Sequence, residues 1–148
     1  MSKLVARATH RRYRIILLSV FVASFALHVA GVGAIFFAGG LRPTTLQVLL
    51  VRLLAIYGVP LGIILGGIFG EQGQEKATAP AAAHSYWIAL TLSTVWNILL
   101  LFGTAMYIFR NGSPKELLAY LDEVARASSF LTAGALAYFF TQRKATSG

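Results

Sequence analysis

Three side chains inside long apolar stretches of this chain carry groups that could do chemistry: His28, Arg52 and Asn97. Polar and ionisable groups are costly in lipid, so each is a candidate functional group. An imidazole can relay a proton, contact a quinone or ligate haem. A guanidinium can hold a lipid phosphate or favour anions along a hydrated path. A carboxamide can line a wet cavity or bond a neighbouring helix. Each also has a plainer reading. His28 fits a buried neutral imidazole bonded to a neighbour such as Asn97. Haem would need a second axial ligand at the same depth, whereas His84 falls at the edge of an apolar run and His10 in the N-terminal tail, so no cofactor is expected. Asn97, with Ser93 and Ala89, forms a small polar stripe that reads as an interhelical bonding face. Arg52 lies six residues into its run, about 9 Å by helical rise. No Asp or Glu occurs within the apolar runs, so Arg52 is expected to lack a carboxylate partner. Its three readings are snorkelling to headgroups, binding a lipid phosphate, and biasing a pathway toward anions.

Gly58, Gly62, Gly66 and Gly70 recur at every fourth position in an uncharged stretch. That spacing places them in a row on one helix face. Such a row lets another helix backbone approach closely, and close packing drives helix association in lipid. The facing helix can belong to the same bundle or to another subunit.

Catalysis has little footing. There is no H-E-x-x-H, G-x-S-x-G or phosphate loop, and no carboxylate pair within the apolar runs. No cysteine is present, which excludes disulfides and thiolate metal sites. Ion coupling generally uses intramembrane carboxylates or histidines, and only His28 qualifies. Neither an enzyme nor a metal site is expected.

The elements that carry these residues follow from composition. The chain of 148 residues is 57% hydrophobic and 12% charged, against about 25% charged in ordinary soluble proteins. This points to a single all-α integral membrane domain with the lipid bilayer as its solvent. The net charge of +8 is explained by basic residues at the ends of apolar runs, not by nucleic acid. A basic tail covers residues 1–14. Spans are expected at about 15–37, 46–69, 86–109 and 124–140, each of the first three long enough for a ~30 Å core. Residues 15–37 are too long for a signal-peptide core. Ser113-Pro-Lys-Glu116 is a capping box that opens a helix, and Leu117–Arg126 reads as a short amphipathic segment before the fourth span, either an interfacial helix or an extension of that span. Asp122 and Arg126 are spaced as partners on that segment.

Four spans in an antiparallel bundle put both termini on one side with eight basic residues, against four or five on the other; with three spans Arg143 and Lys144 move outside and the bias weakens, so four are expected. The positive-inside rule then makes the termini cytoplasmic, at an inner (plasma) membrane. A bundle of this size has little room for its own solute cavity. The expected function is a homo-oligomer, joined through glycine and small-residue faces, that forms a pore-like or permeability-controlling assembly. The alternative is a non-conducting accessory subunit of a larger membrane complex.

Overall fold

The computed structural model describes residues 2–69, 79–110 and 112–141. Four helices and no strand occur among them: α1 (Ser2–Phe37), α2 (Pro43–Phe69), α3 (Ala79–Arg110) and α4 (Pro114–Thr141). Three helical stretches, Arg12–Phe37, Pro43–Phe69 and Ala83–Phe109, are long and apolar enough to cross a membrane. The all-helical membrane reading of the sequence therefore stands, and α4 is the helix that composition alone does not carry across.

Local chemistry sets the helix ends. Gly39 has φ of 80° and follows the last turn of α1. Its N–H donates to Phe36 O, and the Gly40 N–H donates to Ile35 O. This is a Schellman cap, which needs a left-handed residue that glycine adopts without strain. Pro43 opens α2 at the first helical position, where its missing N–H costs nothing. Before α4, the Ser113 N–H donates to Glu116 Oε2 at 2.7 Å, and the Glu116 N–H donates to Ser113 Oγ at 3.3 Å. The capping box read from the sequence forms with both bonds. One boundary differs from expectation: α1 continues back through the basic tail to Ser2. The amphipathic stretch takes the second of its two expected forms, the opening turns of one continuous α4.

Each helix packs on two neighbours, in the ring order α1–α2–α4–α3. The diagonal pair α2–α3 is joined through side chains in the centre. Tyr57 of α2 is fully buried there, its ring against Phe21 and Phe25 of α1 and Trp96 of α3, with centroids 6.4, 5.5 and 5.4 Å away. Large aromatics fill the space that four helix backbones cannot close.

One end of the bundle gathers all four helices. Tyr13 of α1 stacks on Tyr86 of α3 at 4.0 Å, and Tyr86 meets Phe139 of α4. The Arg14 guanidinium lies 5.2 Å over the Phe140 ring, and its Nη1 donates to Gly67 O at 3.4 Å. That carbonyl is one of the last four of α2, which have no partner within the helix. Arg14 thus places a cation at the negative end of the α2 dipole. The contact also shows that residues 13–14 of α1 and the end of α4 lie at the same end of the bundle.

Candidate functional site

The bundle holds two polar features, one in the core and one on the outer side of α2 and α4. The core feature joins His28, Tyr57 and Asn97, which are 0%, 0% and 3% exposed. Asn97 Nδ2 donates to Ser93 O at 2.8 Å, which fixes the amide so that Oδ1 faces Tyr57. The Tyr57 hydroxyl donates to Asn97 Oδ1 at 3.0 Å. A hydroxyl has one hydrogen, so toward His28 it must accept. His28 Nδ1, 3.0 Å from both the Tyr57 hydroxyl and Ser24 O, therefore carries its hydrogen and donates to the two oxygens. The chain of bonds runs in one direction, from α1 through α2 to α3.

In the neutral ring a hydrogen on Nδ1 leaves His28 Nε2 as an acceptor. It is buried without a protein partner among the described residues, as are Ser93 Oγ, Trp96 Nε1 and Thr104 Oγ1. Thr104 belongs to the same α1–α3 contact, because its methyl lies 3.4 Å from where a Gly31 Cβ would stand. The sequence reading paired His28 with Asn97, but the two meet only through Tyr57. It did not single out Tyr57, although a tyrosine in the middle of an apolar run carries a hydroxyl that must be satisfied. The stripe of Ala89, Ser93 and Asn97 is buried as a whole and faces the bundle interior.

The outer feature begins at Arg52. The expectation that Arg52 has no carboxylate partner is wrong: its Nε lies 3.3 Å from Asp122 Oδ1 of α4. The sequence reading placed Asp122 on the amphipathic stretch before the fourth apolar run and did not weigh it as a partner, whereas that stretch lies beside Arg52 on α2. The side chains are 53% and 30% exposed, so the pair spans the outer seam between the two helices. Asp122 bonds Arg52 there and not Arg126, the partner expected one turn on. With its charge balanced, Arg52 no longer supplies an anion bias.

Gly58, Gly62 and Gly66 are exposed on α2, and an added Cβ at any of them would meet no atom within 4 Å. Among the described residues, these three glycines pack against nothing. Gly70 lies outside the described residues. The close approaches inside the bundle use other glycines. A Cβ at Gly67 would collide with the Phe140 ring, and one at Gly103 with the Tyr120 ring. Tyr120 sits over Gly103 and donates its hydroxyl hydrogen to Leu99 O at 2.9 Å.

These contacts set the register of α4. Asp122 lies beside Arg52 and Phe140 beside Gly67, so α4 trails α2 by 70 to 73 positions. Arg126 is then level with residues 53–56, the middle of Pro43–Phe69. From Lys115 to Ala127, the exposed residues of α4 are Lys115, Glu116, Ala119, Glu123, Arg126 and Ala127. Its exposed large apolar side chains begin at Phe130. α2, in contrast, exposes Val48, Val51, Leu54, Val59 and Leu65 along its length. One side of the bundle is therefore polar over a depth where its neighbour is apolar.

No protein-family model matches this chain, and no curated protein or solved structure is similar to it. The class that fold and composition define is a small all-helical protein with three helices fit to span a membrane. What it does has to be argued from the two polar features.

Proposed function

We propose that the chain is a self-associating integral membrane protein whose copies meet through the outer face of α2 and α4, and that the assembly controls permeability along the seam between copies. The observation that carries this reading is the polar surface of α4. In the register given above, Glu123 and Arg126 face outward near the middle depth of α2. A charged residue facing lipid at that depth costs about 2.5–3.5 kcal/mol on insertion scales and more by other estimates. A protein partner or water held by one removes that cost. The exposed glycine row on the adjoining helix supports the same reading, since small residues let a second backbone approach.

A path through one bundle is disfavoured because Tyr57, Trp96, Phe21 and His28 fill its centre. A path between copies would be lined by Arg52, Asp122, Glu123 and Arg126, two charges of each sign. In this reading α4 crosses with the other helices, shielded within the assembly. Both termini are cytoplasmic, and the protein is not an enzyme.

The second reading, a non-conducting subunit docked into a larger complex, draws on the one-sidedness of the polar surface. One polar side needs only one neighbour. Native mass in mild detergent separates the two. Multiples of the chain mass support self-association, whereas a monomer that co-purifies with a different membrane protein supports docking. Gly62→Leu should lower the native mass of an assembly while the monomer stays folded. A wild-type chain that is monomeric and folded at all concentrations refutes the first reading.

A further inference from the structure

We infer that Glu123 and Arg126 pair reciprocally across a two-fold contact between two copies of α4. The inference rests on the self-association reading and names the partner and the contact. Three observations carry it. The two residues have opposite charge and are three positions apart, so they lie on the same side of the helix. Both are exposed, and neither makes an ion pair among the described residues, because Asp122 is engaged by Arg52. Arg126 is level with the middle of α2, which places it away from the headgroups.

These conditions select a second copy over other occupants. A two-fold axis along the membrane normal brings two α4 helices together in parallel and at equal depth. Arg126 of each copy then faces Glu123 of the other, and the pair forms twice. A contact of this isologous kind needs a patch complementary to itself, and one acid and one base a turn apart provide it. Ala119, exposed one turn before Glu123, leaves room for the helices to approach.

The test uses the full-length chain in lipid nanodiscs and in mild detergent. Glu123→Arg makes the patch wholly basic, and Arg126→Glu makes it wholly acidic. Each variant alone should lose self-association by about tenfold or more in the association constant, which corresponds to 1.4 kcal/mol. Mixed together, the two should form heterodimers in preference to homodimers, read by native mass with differently tagged chains. The double variant, with the charges exchanged, should associate like wild type. Because the chain has no cysteine, Ala119→Cys provides a single cross-linking site, and disulfide-linked dimer should follow the same order. Where a charge-reversal variant does not fold, Glu123→Gln and Arg126→Gln take its place and should each weaken association.

Wild-type association in all the charge variants overturns this inference. If Gly62→Leu nevertheless abolishes association, self-association survives and only the ion-pair contact is refuted. A wild-type chain that never self-associates refutes both. So does a wild-type chain recovered only with a different membrane protein.

Discussion

Replacing Tyr57 with Phe isolates the contribution of the core network. The ring stays, and with it the contacts to Phe21, Phe25 and Trp96. Only the hydroxyl goes. Two bonds are lost, the one to Asn97 Oδ1 and the one from His28 Nδ1. His28 keeps Ser24 O, so its nitrogen stays satisfied. Asn97 Oδ1 does not, and a buried acceptor left unpaired costs about 1–3 kcal/mol. Interhelical bonds measured in lipid average nearer 0.6 kcal/mol, because the unfolded chain also finds partners there. The expected loss is therefore about 1–2 kcal/mol, a five- to thirtyfold change in the unfolding constant.

The assay is reversible unfolding in mixed micelles, followed by the fluorescence of buried Trp96. A second substitution sharpens it. Asn97→Leu removes the orphaned acceptor, so adding it to Tyr57→Phe should cost less than the two single losses together. Partners in one network couple by roughly 0.5–3 kcal/mol. Should Tyr57→Phe be neutral, or its effect simply add to that of Asn97→Leu, the directional chain from His28 to Asn97 would contribute nothing and the reasoning would fail.

Three further outcomes are expected. Gly103→Ala should destabilise folding by roughly 1–3 kcal/mol, because Tyr120 must withdraw and release Leu99 O, whereas Gly62→Ala should leave the thermal midpoint unchanged or raised. Arg52→Asp should weaken folding or assembly by opposing Asp122, and Arg52→Asp with Asp122→Arg should recover it, measured as yield and native mass. Reporter fusions should find residues 41 and 112 on one side of the membrane and residue 148 on the other, and an external C-terminus would remove α4 as a span.

Much of the fold was legible because the signals were local. Apolar runs of sufficient length gave three helices, and Ser113 with Glu116 gave the start of the fourth. What stayed hidden depends on register between helices far apart in sequence. Arg52 and Asp122 are 70 positions apart, and nothing in either run says that α2 and α4 lie side by side at this register. Tyr57 was overlooked for the same reason. His28, Tyr57 and Asn97 each occupy the middle of a run, but that they share one depth is visible only once the helices are assembled. Spacing also failed to separate glycines that pack from glycines that do not. Gly67 and Gly103 stand in no conspicuous row, yet aromatic rings lie against them.

The division between these two sets of glycine bears on function. Large aromatics fill the bundle centre, so an inward-facing row of four would leave a void where Tyr57 and Trp96 now touch. Gly58, Gly62 and Gly66 face outward instead. There each glycine lowers helix propensity by about 1 kcal/mol relative to alanine. Among the described residues nothing offsets that cost, because a Cβ at Gly58, Gly62 or Gly66 would meet no neighbouring atom within 4 Å. Lipid chains gain little from a missing methyl group, whereas a helix backbone gains close contact along the whole row. In the proposed assembly a neighbouring copy supplies the compensation. The outward charges of α4, exposed on the adjoining helix, gain from the same neighbour. Two features of different chemistry, one steric and one electrostatic, thus support the proposal that copies meet through α2 and α4.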